Sequence, residues 1–132
     1  NIPVSFALCG DGEIQEGSAW EAFMLAGHLK LDNFIVLIDY NKISSIKETN
    51  KVVNLEPLKS KFLSFGFNVE NVDGHKVSEI LNSIHNRKKN KPLAIICNTI
   101  KGKGVKFAEN DPMWHYKTLD EKLYFEAKKH LK

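Results

Sequence analysis

The sequence predicts an α/β fold: an open, mostly parallel sheet with helices on both faces. Short apolar runs, rich in β-branched residues, alternate along the chain with segments whose apolar residues recur at helical spacing. The run at residues 34–40 is apolar on both faces, which is typical of a central parallel strand. Because no repeat, low-complexity tract or linker interrupts this alternation, we expect residues 1–132 to form a single domain.

The first part of the chain predicts a β-α-β unit. Residues 5–9 form a short apolar run and are predicted to be a buried strand. Residues 13–29 carry apolar side chains near helical spacing and are predicted to be a helix. Residues 34–40 supply the next strand. Such units are almost always right-handed, so the helix is expected to cross one face of the sheet.

The rest of the chain continues the alternation. The predicted elements are a helix at residues 55–65 ending at Gly66, a strand at 67–72, a helix at 77–87, a strand at 93–100 after Pro92, and a final helix at 119–131. Residues 101–117 lack periodicity and are predicted to be a loop. Its "KGKG" lacks the spacing of a phosphate-binding P-loop and is interpreted as a flexible loop.

Composition excludes several classes of function. Hydrophobic residues make up 42% and charged residues 27%, the balance of an ordinary globular protein. The basic run at residues 87–91 has no interleaved aromatic residue, so no nucleic-acid partner is expected. The longest apolar runs are too short to span a bilayer, and no membrane partner is expected. Cys9 and Cys97 lie inside apolar strands, which favours reduced thiols and a cytoplasmic location.

Two polar residues follow neighbouring predicted strands. Asp11 lies between Gly10 and Gly12 after the first strand, and Asn41 follows the second. Ligands of open parallel sheets bind at the carboxyl ends of the strands, so we expect both side chains at one edge. Carboxylate and amide oxygens suit Mg²⁺, with Ca²⁺ as the alternative. Bare backbone at Gly12, and a helix expected to begin near residue 13, favour a magnesium diphosphate. An N-cap and a turn former are the structural alternatives.

The stretch "GDGEIQEGSAWEA" followed by "DYNK" resembles the thiamine diphosphate motif, Gly-Asp-Gly and then Asn, and in detail it resembles transketolases. The similarity continues through Glu16, Gly17, Glu21 and "AGHLKLDN", and through "TIKGKGVKFAENDPMWH" at residues 99–115. This resemblance covers essentially the whole chain. It implies the diphosphate-binding domain of an enzyme that transfers a two-carbon ketol unit between sugar phosphates.

The resemblance also implies roles for individual residues. Asp11, Asn41 and the carbonyl of Ile43 would hold the metal, and thiamine diphosphate would contact Gly10, Asp11, Gly12, Glu13, Asn41, Ile43 and His115. Catalytic roles would fall to His115, near the thiazolium and substrate, and to Glu16. Glu16 and Glu21 would lie toward a dimer interface that links two cofactor sites. An aromatic cluster is the structural alternative for His115, and ordinary helix-surface positions are the alternative for Glu16 and Glu21.

The resemblance further implies a partner. The family's pyrimidine-binding domain, whose glutamate activates the cofactor, is not in this chain, so the chain alone is expected to be inactive. Further sequence or a separate subunit would complete it, as a homodimer or a heterotetramer. Two enzyme alternatives are a 1-deoxyxylulose-5-phosphate synthase and a 2-oxo acid dehydrogenase. A non-catalytic truncated module is the alternative from another class.

Overall fold

A computed structural model describes residues 3–131; residues 1, 2 and 132, which belong to the predicted domain, lie outside that range. Four strands form one sheet in the order β1-β2-β4-β3, and every pair is parallel. The strands are β1 Ser5–Gly10, β2 Phe34–Tyr40, β3 Asn68–Asp73 and β4 Leu93–Asn98. The predicted parallel α/β architecture is therefore confirmed.

Register brings the carboxyl ends of three strands into line. Gly10, the last residue of β1, pairs with Asp39 near the end of β2. Tyr40, the last residue of β2, pairs with Asn98, the last residue of β4. The segments that follow β1, β2 and β4 therefore leave the sheet at one edge, side by side.

The helices are α1 Gly17–His28, α2 Thr49–Val52, α3 Leu58–Ser64, α4 Val77–His85 and α5 Glu121–His130. Short 3-10 helices occupy Glu13–Gln15 and Pro112–His115. Within residues 3–131, no helix has both the length and the apolar character needed to cross a membrane.

The predicted helix at residues 13–29 is wrong at its start. Glu16 has an extended conformation, with ψ 135°, and separates the 3-10 helix Glu13–Gln15 from α1, which begins at Gly17. Apolar periodicity could not detect this break because Ile14 is buried against the same core as α1. Helix α2 was not predicted, since four residues are too few to carry a periodic signal.

Apolar side chains pack on both faces of the sheet. On one face, Phe23 of α1 and Phe62 of α3 pack against Val36, Ile38 and other buried strand residues. On the other face, Ile80 and Ile84 of α4 pack against a cluster that comprises Ile35, Val72, Leu93, Ile95 and Cys97. The helices thus lie on both faces, as predicted, and leave the carboxyl edge of the strands open. The predicted burial of residues 5–9 is wrong: β1 is an edge strand that α4 does not reach, and Phe6 and Leu8 are exposed.

The close approach of α1 to the end of α3 depends on Gly27. A Cβ atom there would lie 1.8 Å from the carbonyl oxygen of Phe65 and 2.9 Å from its carbonyl carbon. Gly27→Ala must push these elements apart, and we expect it to lower the free energy of unfolding by about 1–3 kcal/mol. Gly17→Ala is the matched control, because a Cβ there meets no atom within 4 Å. Urea unfolding of both variants tests this, and an unchanged midpoint for Gly27→Ala would contradict it.

Candidate functional site

A cleft of about 450 Å³ opens at the carboxyl edge of the sheet, beside the ends of β1 and β2. The segments after three strands form its walls, because the register places the ends of those strands together. The predicted cofactor residues that line it are Gly10, Asp11, Gly12, Glu13, Asn41, Ile43 and His115. Segments more than 100 positions apart in sequence therefore meet in one place.

Asp11 is the buried charged group of this cleft. Its side chain follows β1 and is only 2% exposed. One carboxylate oxygen, Oδ2, accepts the N–H of Lys42 at 2.6 Å. In the described part of the chain, the ion pairs join other residues, and none involves Asp11. A buried carboxylate without a cation is costly, which makes this position a candidate for an external cation.

Burial raises the pKa of the Asp11 carboxyl above its ordinary value. The N–H of Lys42 opposes the rise by stabilising the charged form, and the negative charge of Asp39 adds to it. The nearby hydroxyl of Thr49 acts in the direction that lowers the pKa. That hydroxyl is itself buried and makes no hydrogen bond of acceptable geometry within residues 3–131. Backbone N–H groups, and not a cationic side chain, are therefore the main groups that stabilise the charged form of Asp11.

Asn41 and Ile43 form a tight turn after β2. The Asn41 side-chain oxygen accepts the N–H of Ile43 at 2.9 Å, which leaves that oxygen a second lone pair. Between them, Lys42 has a left-handed backbone with φ 64°, unusual for a residue with a side chain. Its N–H is the one that Asp11 accepts, so the carboxylate holds the strained turn in place.

The two glycines leave open space that the fold does not require. A Cβ at Gly10 would meet no atom within 4 Å. At Gly12 it would make only ordinary contacts with Ser44, the nearest at 3.6 Å, and the backbone φ of −67° suits any residue. Since neither packing nor backbone conformation explains these glycines, their bareness fits a group that approaches the backbone from the cleft.

The donor set suits a hard cation. In the region that the structure describes, no group of three or more His, Cys, Asp or Glu side chains is placed to hold a metal ion. Asp11, Asn41 and Ile43 line the cleft, and they carry a carboxylate, an amide oxygen and a backbone carbonyl that could serve as donors. Asp39 and Glu13 also line it, so Asp11 is not its only carboxylate. Oxygen donors of this kind suit Mg²⁺ or Ca²⁺ and disfavour zinc, and Mg²⁺ fills its remaining positions with water and phosphate oxygens.

His115 reaches the cleft from the far end of the chain. It ends the 3-10 helix Pro112–His115, and its ring meets the Tyr116 ring edge-on at 4.9 Å between centroids. The Trp114 indole N–H donates to the Phe107 carbonyl at 2.8 Å and anchors this segment. His115 thus has an aromatic neighbour and also lines the cleft.

The structure adds residues that the sequence reasoning missed, chiefly Lys101 and Gln15, which both line the cleft. Lys101 lies three residues after the end of β4, but only the strand order reveals that β4 lies beside β2. The "KGKG" segment is a loop, as predicted, and it is built from hydrogen-bonded turns in which Lys103 N–H donates to the Ile100 carbonyl and Val105 N–H to the Gly102 carbonyl.

Glu13 and Glu16 differ from the rest of the predicted set. The Glu13 carboxylate lines the cleft but turns back to accept the N–H of Gly10 at 3.2 Å. Glu16 is exposed at the N-cap of α1 and does not line the cleft, and Glu21 is exposed on α1. The catalytic role of Glu16 therefore stays a prediction that this cleft alone does not explain.

Similarity to known proteins points to one family. The sequence profile described as "Transketolase, thiamine diphosphate binding domain" matches residues 3–131. The chain is 40% identical to the 6-deoxy-6-sulfo-D-fructose transketolase subunit SqwG of Clostridium sp. (strain MSTE9), over 90% of this chain and 44% of that protein. It is 38% identical to an apulose-4-phosphate transketolase subunit of Actinobacillus succinogenes, over 85% of this chain and 41% of that one.

The similarity extends to three dimensions. A crystal structure of transketolase from Campylobacter jejuni matches the fold with a TM-score of 0.90 and 37% sequence identity. The match covers 98% of this chain and 20% of that one. The chain therefore spans less than half the length of the relatives that it matches.

Proposed function

Because the chain belongs to the family of transketolase thiamine diphosphate binding domains, we propose that it supplies the metal and diphosphate half of a transketolase active site. The observation that carries this proposal is the buried Asp11 carboxylate, which has no cationic side chain paired with it in the described residues and faces a cleft with two further oxygen donors. A magnesium ion would supply the missing positive charge. It would also attach the diphosphate to the protein.

Each residue of the cleft has a simple task in this proposal. The side chains of Asp11 and Asn41 and the carbonyl of Ile43 would hold Mg²⁺, with Ca²⁺ as a substitute of similar ligand preference. The open backbone at Gly10 and Gly12 would let the diphosphate come close. Lys101, which also lines the cleft, would add a positive charge for the diphosphate oxygens.

The reaction proposed is the transfer of a two-carbon ketol unit between sugar phosphates. The carbon chemistry would come from the thiazolium ring of the cofactor. His115 would orient the sugar hydroxyls and move a proton on or off the substrate oxygen, since an imidazole can donate or accept near neutral pH. Its exposed position at the mouth of the cleft allows substrate to reach it.

A partner would complete this half-site. Two similar proteins bear names that identify them as transketolase subunits, and this chain covers less than half of each. We propose that a pyrimidine-binding domain, on further sequence or on a separate subunit, closes the cleft, in a homodimer or heterotetramer. Glu16 and Glu21, exposed on α1, are proposed to face that assembly, and the cytoplasm is the proposed location.

Calorimetric titration of thiamine diphosphate into the native assembly, with Mg²⁺ and again with a chelator, tests the proposal. We expect binding with Mg²⁺ and none with the chelator, because one buried carboxylate cannot hold a diphosphate without a cation. Absence of binding under both conditions would overturn the proposal and favour a non-catalytic module.

A second assay separates transketolase from the other enzyme alternatives. We expect the Mg²⁺-loaded assembly to transfer a ketol unit to an aldose phosphate. Activity with pyruvate alone would favour a 1-deoxyxylulose-5-phosphate synthase or a 2-oxo acid dehydrogenase. Control reactions contain the ketol donor alone or the acceptor alone, so that consumption of one substrate is not mistaken for ketol transfer.

A further inference from the structure

We propose that Gln15 is a positioning residue that holds residues 41–53 against the candidate metal site. Its side-chain nitrogen Nε2 donates to the carbonyl of Thr49 at 3.0 Å and to the carbonyl of Val53 at 2.9 Å. Gln15 and Val52 both line the cleft, so this contact joins two of its walls. The hydrogen bonds are independent of any cofactor; their consequence for cofactor affinity rests on the function proposed above.

The chemistry of the contact requires a side-chain amide. An NH₂ group carries two hydrogens and can serve two carbonyl acceptors at once, whereas an amide or carboxylate oxygen facing the same carbonyls would be repelled. The orientation of the Gln15 amide is therefore determined by its partners. Glutamate, with the same shape, lacks the donors at neutral pH.

The segment that Gln15 holds has little stability of its own. Helix α2 consists only of Thr49–Val52, and an isolated helix of one turn does not persist in water. Gln15 donates to the carbonyl of Thr49, the first residue of α2, and to the carbonyl of Val53, which directly follows the helix. The hydrogen bonds from Gln15 therefore stabilise α2, because the hydrogen bonds within so short a helix are too few to do so.

The segment connects this contact to the metal ligands. Thr49 N–H donates to the Lys42 carbonyl at 2.9 Å, and Lys42 N–H donates to Asp11 at 2.6 Å. Ile43 also pairs with Glu48, just before α2. Asp11 therefore holds one end of the segment and Gln15 holds the other. If the hydrogen bonds from Gln15 are lost, the backbone that positions the Ile43 carbonyl becomes free to move.

Hydrogen–deuterium exchange of the native, cofactor-free protein tests the positioning role directly. In Gln15→Met, which keeps the length but removes both donors, we expect the amides of residues 42–53 to exchange about five- to thirtyfold faster, as one or two lost hydrogen bonds predict. Amides of β2 and β4 serve as the internal control and should not change. Unchanged exchange at residues 42–53 would overturn the proposal.

Gln15→Glu supplies a signature that simple loss of packing cannot produce. At pH 7.5 its carboxylate should accelerate exchange at least as much as Gln15→Met does. At pH 4.5 partial protonation returns one O–H donor, so the Glu variant should exchange more slowly than the Met variant measured at that pH. Equal rates for the two variants at both pH values would contradict a hydrogen-bonding role.

Titration of thiamine diphosphate with Mg²⁺ then measures the functional consequence. We expect both variants to bind about five- to thirtyfold more weakly than the wild type at pH 7.5. Faster exchange with unchanged affinity would overturn the link from Gln15 to the metal ligands. If the wild type binds no cofactor, the proposed function fails, whereas the exchange result still decides whether Gln15 holds residues 41–53.

Discussion

Asp11→Asn is expected to weaken Mg²⁺-dependent binding of thiamine diphosphate by more than about 100-fold, while leaving the cofactor-free protein at least as stable as the wild type. Mutation of a residue that only hydrogen-bonds a metal ligand already lowers metal affinity by about 10- to 100-fold. Asp11 would be a direct ligand, so its loss should cost more. The asparagine oxygen can still accept the Lys42 N–H, which Asp11 accepts in the structure. The new amide also brings a donor close to the Thr49 hydroxyl, which has no hydrogen-bond partner within residues 3–131.

The cost of the buried Asp11 charge to the free energy of unfolding should depend on pH. Because burial raises the pKa of Asp11, the folded chain holds this proton more tightly than the unfolded chain does. The penalty for the buried charge is therefore full above the raised pKa. It fades as the pH falls toward the ordinary carboxyl value of about 3.9. The stability advantage of Asp11→Asn should be largest near neutral pH and shrink toward acid.

Urea unfolding from pH 7.5 down to pH 4, paired with calorimetry at pH 7.5, measures both effects. Asp11→Ala is the comparison variant: it leaves the Lys42 N–H without an acceptor, which costs about 1–3 kcal/mol. Normal cofactor affinity in Asp11→Asn would show that the metal lies elsewhere. A marked loss of stability at neutral pH would show that the charged carboxylate stabilises the fold.

Phe62→Ala is expected to lower the free energy of unfolding by about 3–5 kcal/mol, the range for deletion of a buried aromatic ring. Phe62 is fully buried and lies 5.0 Å from Phe23, 5.3 Å from Phe67 and 5.7 Å from Trp20, measured between ring centroids. Since domains are stable by only about 5–15 kcal/mol in all, this one change removes a large share.

Leu63→Ala is the control for Phe62→Ala, because Leu63 is the next residue of the same helix and is half exposed. We expect the control to change stability by no more than about 0.5 kcal/mol. Urea denaturation followed by circular dichroism gives both values. A similar small loss for the two variants would mean that the aromatic cluster does not hold α3 on the sheet.

Much of the fold could be predicted from the sequence, because long apolar runs and helical spacing are strong local signals. The convergence of Asp11 and Asn41 followed from them, since strands joined by one helix are usually neighbours. Lys101 could not be placed in this way. Its position depends on β4 inserting between β2 and β3, and no local pattern encodes that order.

Finer features of the site also escaped sequence reasoning. The burial of Asp11 depends on Lys42 and Thr49 folding over it, which glycine spacing does not reveal. Helix α2 and its contact with Gln15 were missed, because the helix has only four residues and its stability comes from tertiary hydrogen bonds. The start of α1 was misplaced for a similar reason: the helix is interrupted by the extended backbone of Glu16, and no helix-breaking residue type marks that position in the sequence.

The position of β4 has a consequence for synthesis on the ribosome. Of the four strands this one is made last, yet it pairs with both β2 and β3, and β3 has no other strand beside it in the described sheet. In a nascent chain that lacks residues 93–98, β3 therefore has no strand to pair with, and only side-chain packing such as that of Phe23 on Phe62 and Phe67 connects it to β1 and β2. Lys101 and His115 emerge later still. The proposed cofactor cleft is consequently complete only late in translation, and a prematurely terminated chain would expose the apolar faces of its strands to chaperones and proteases.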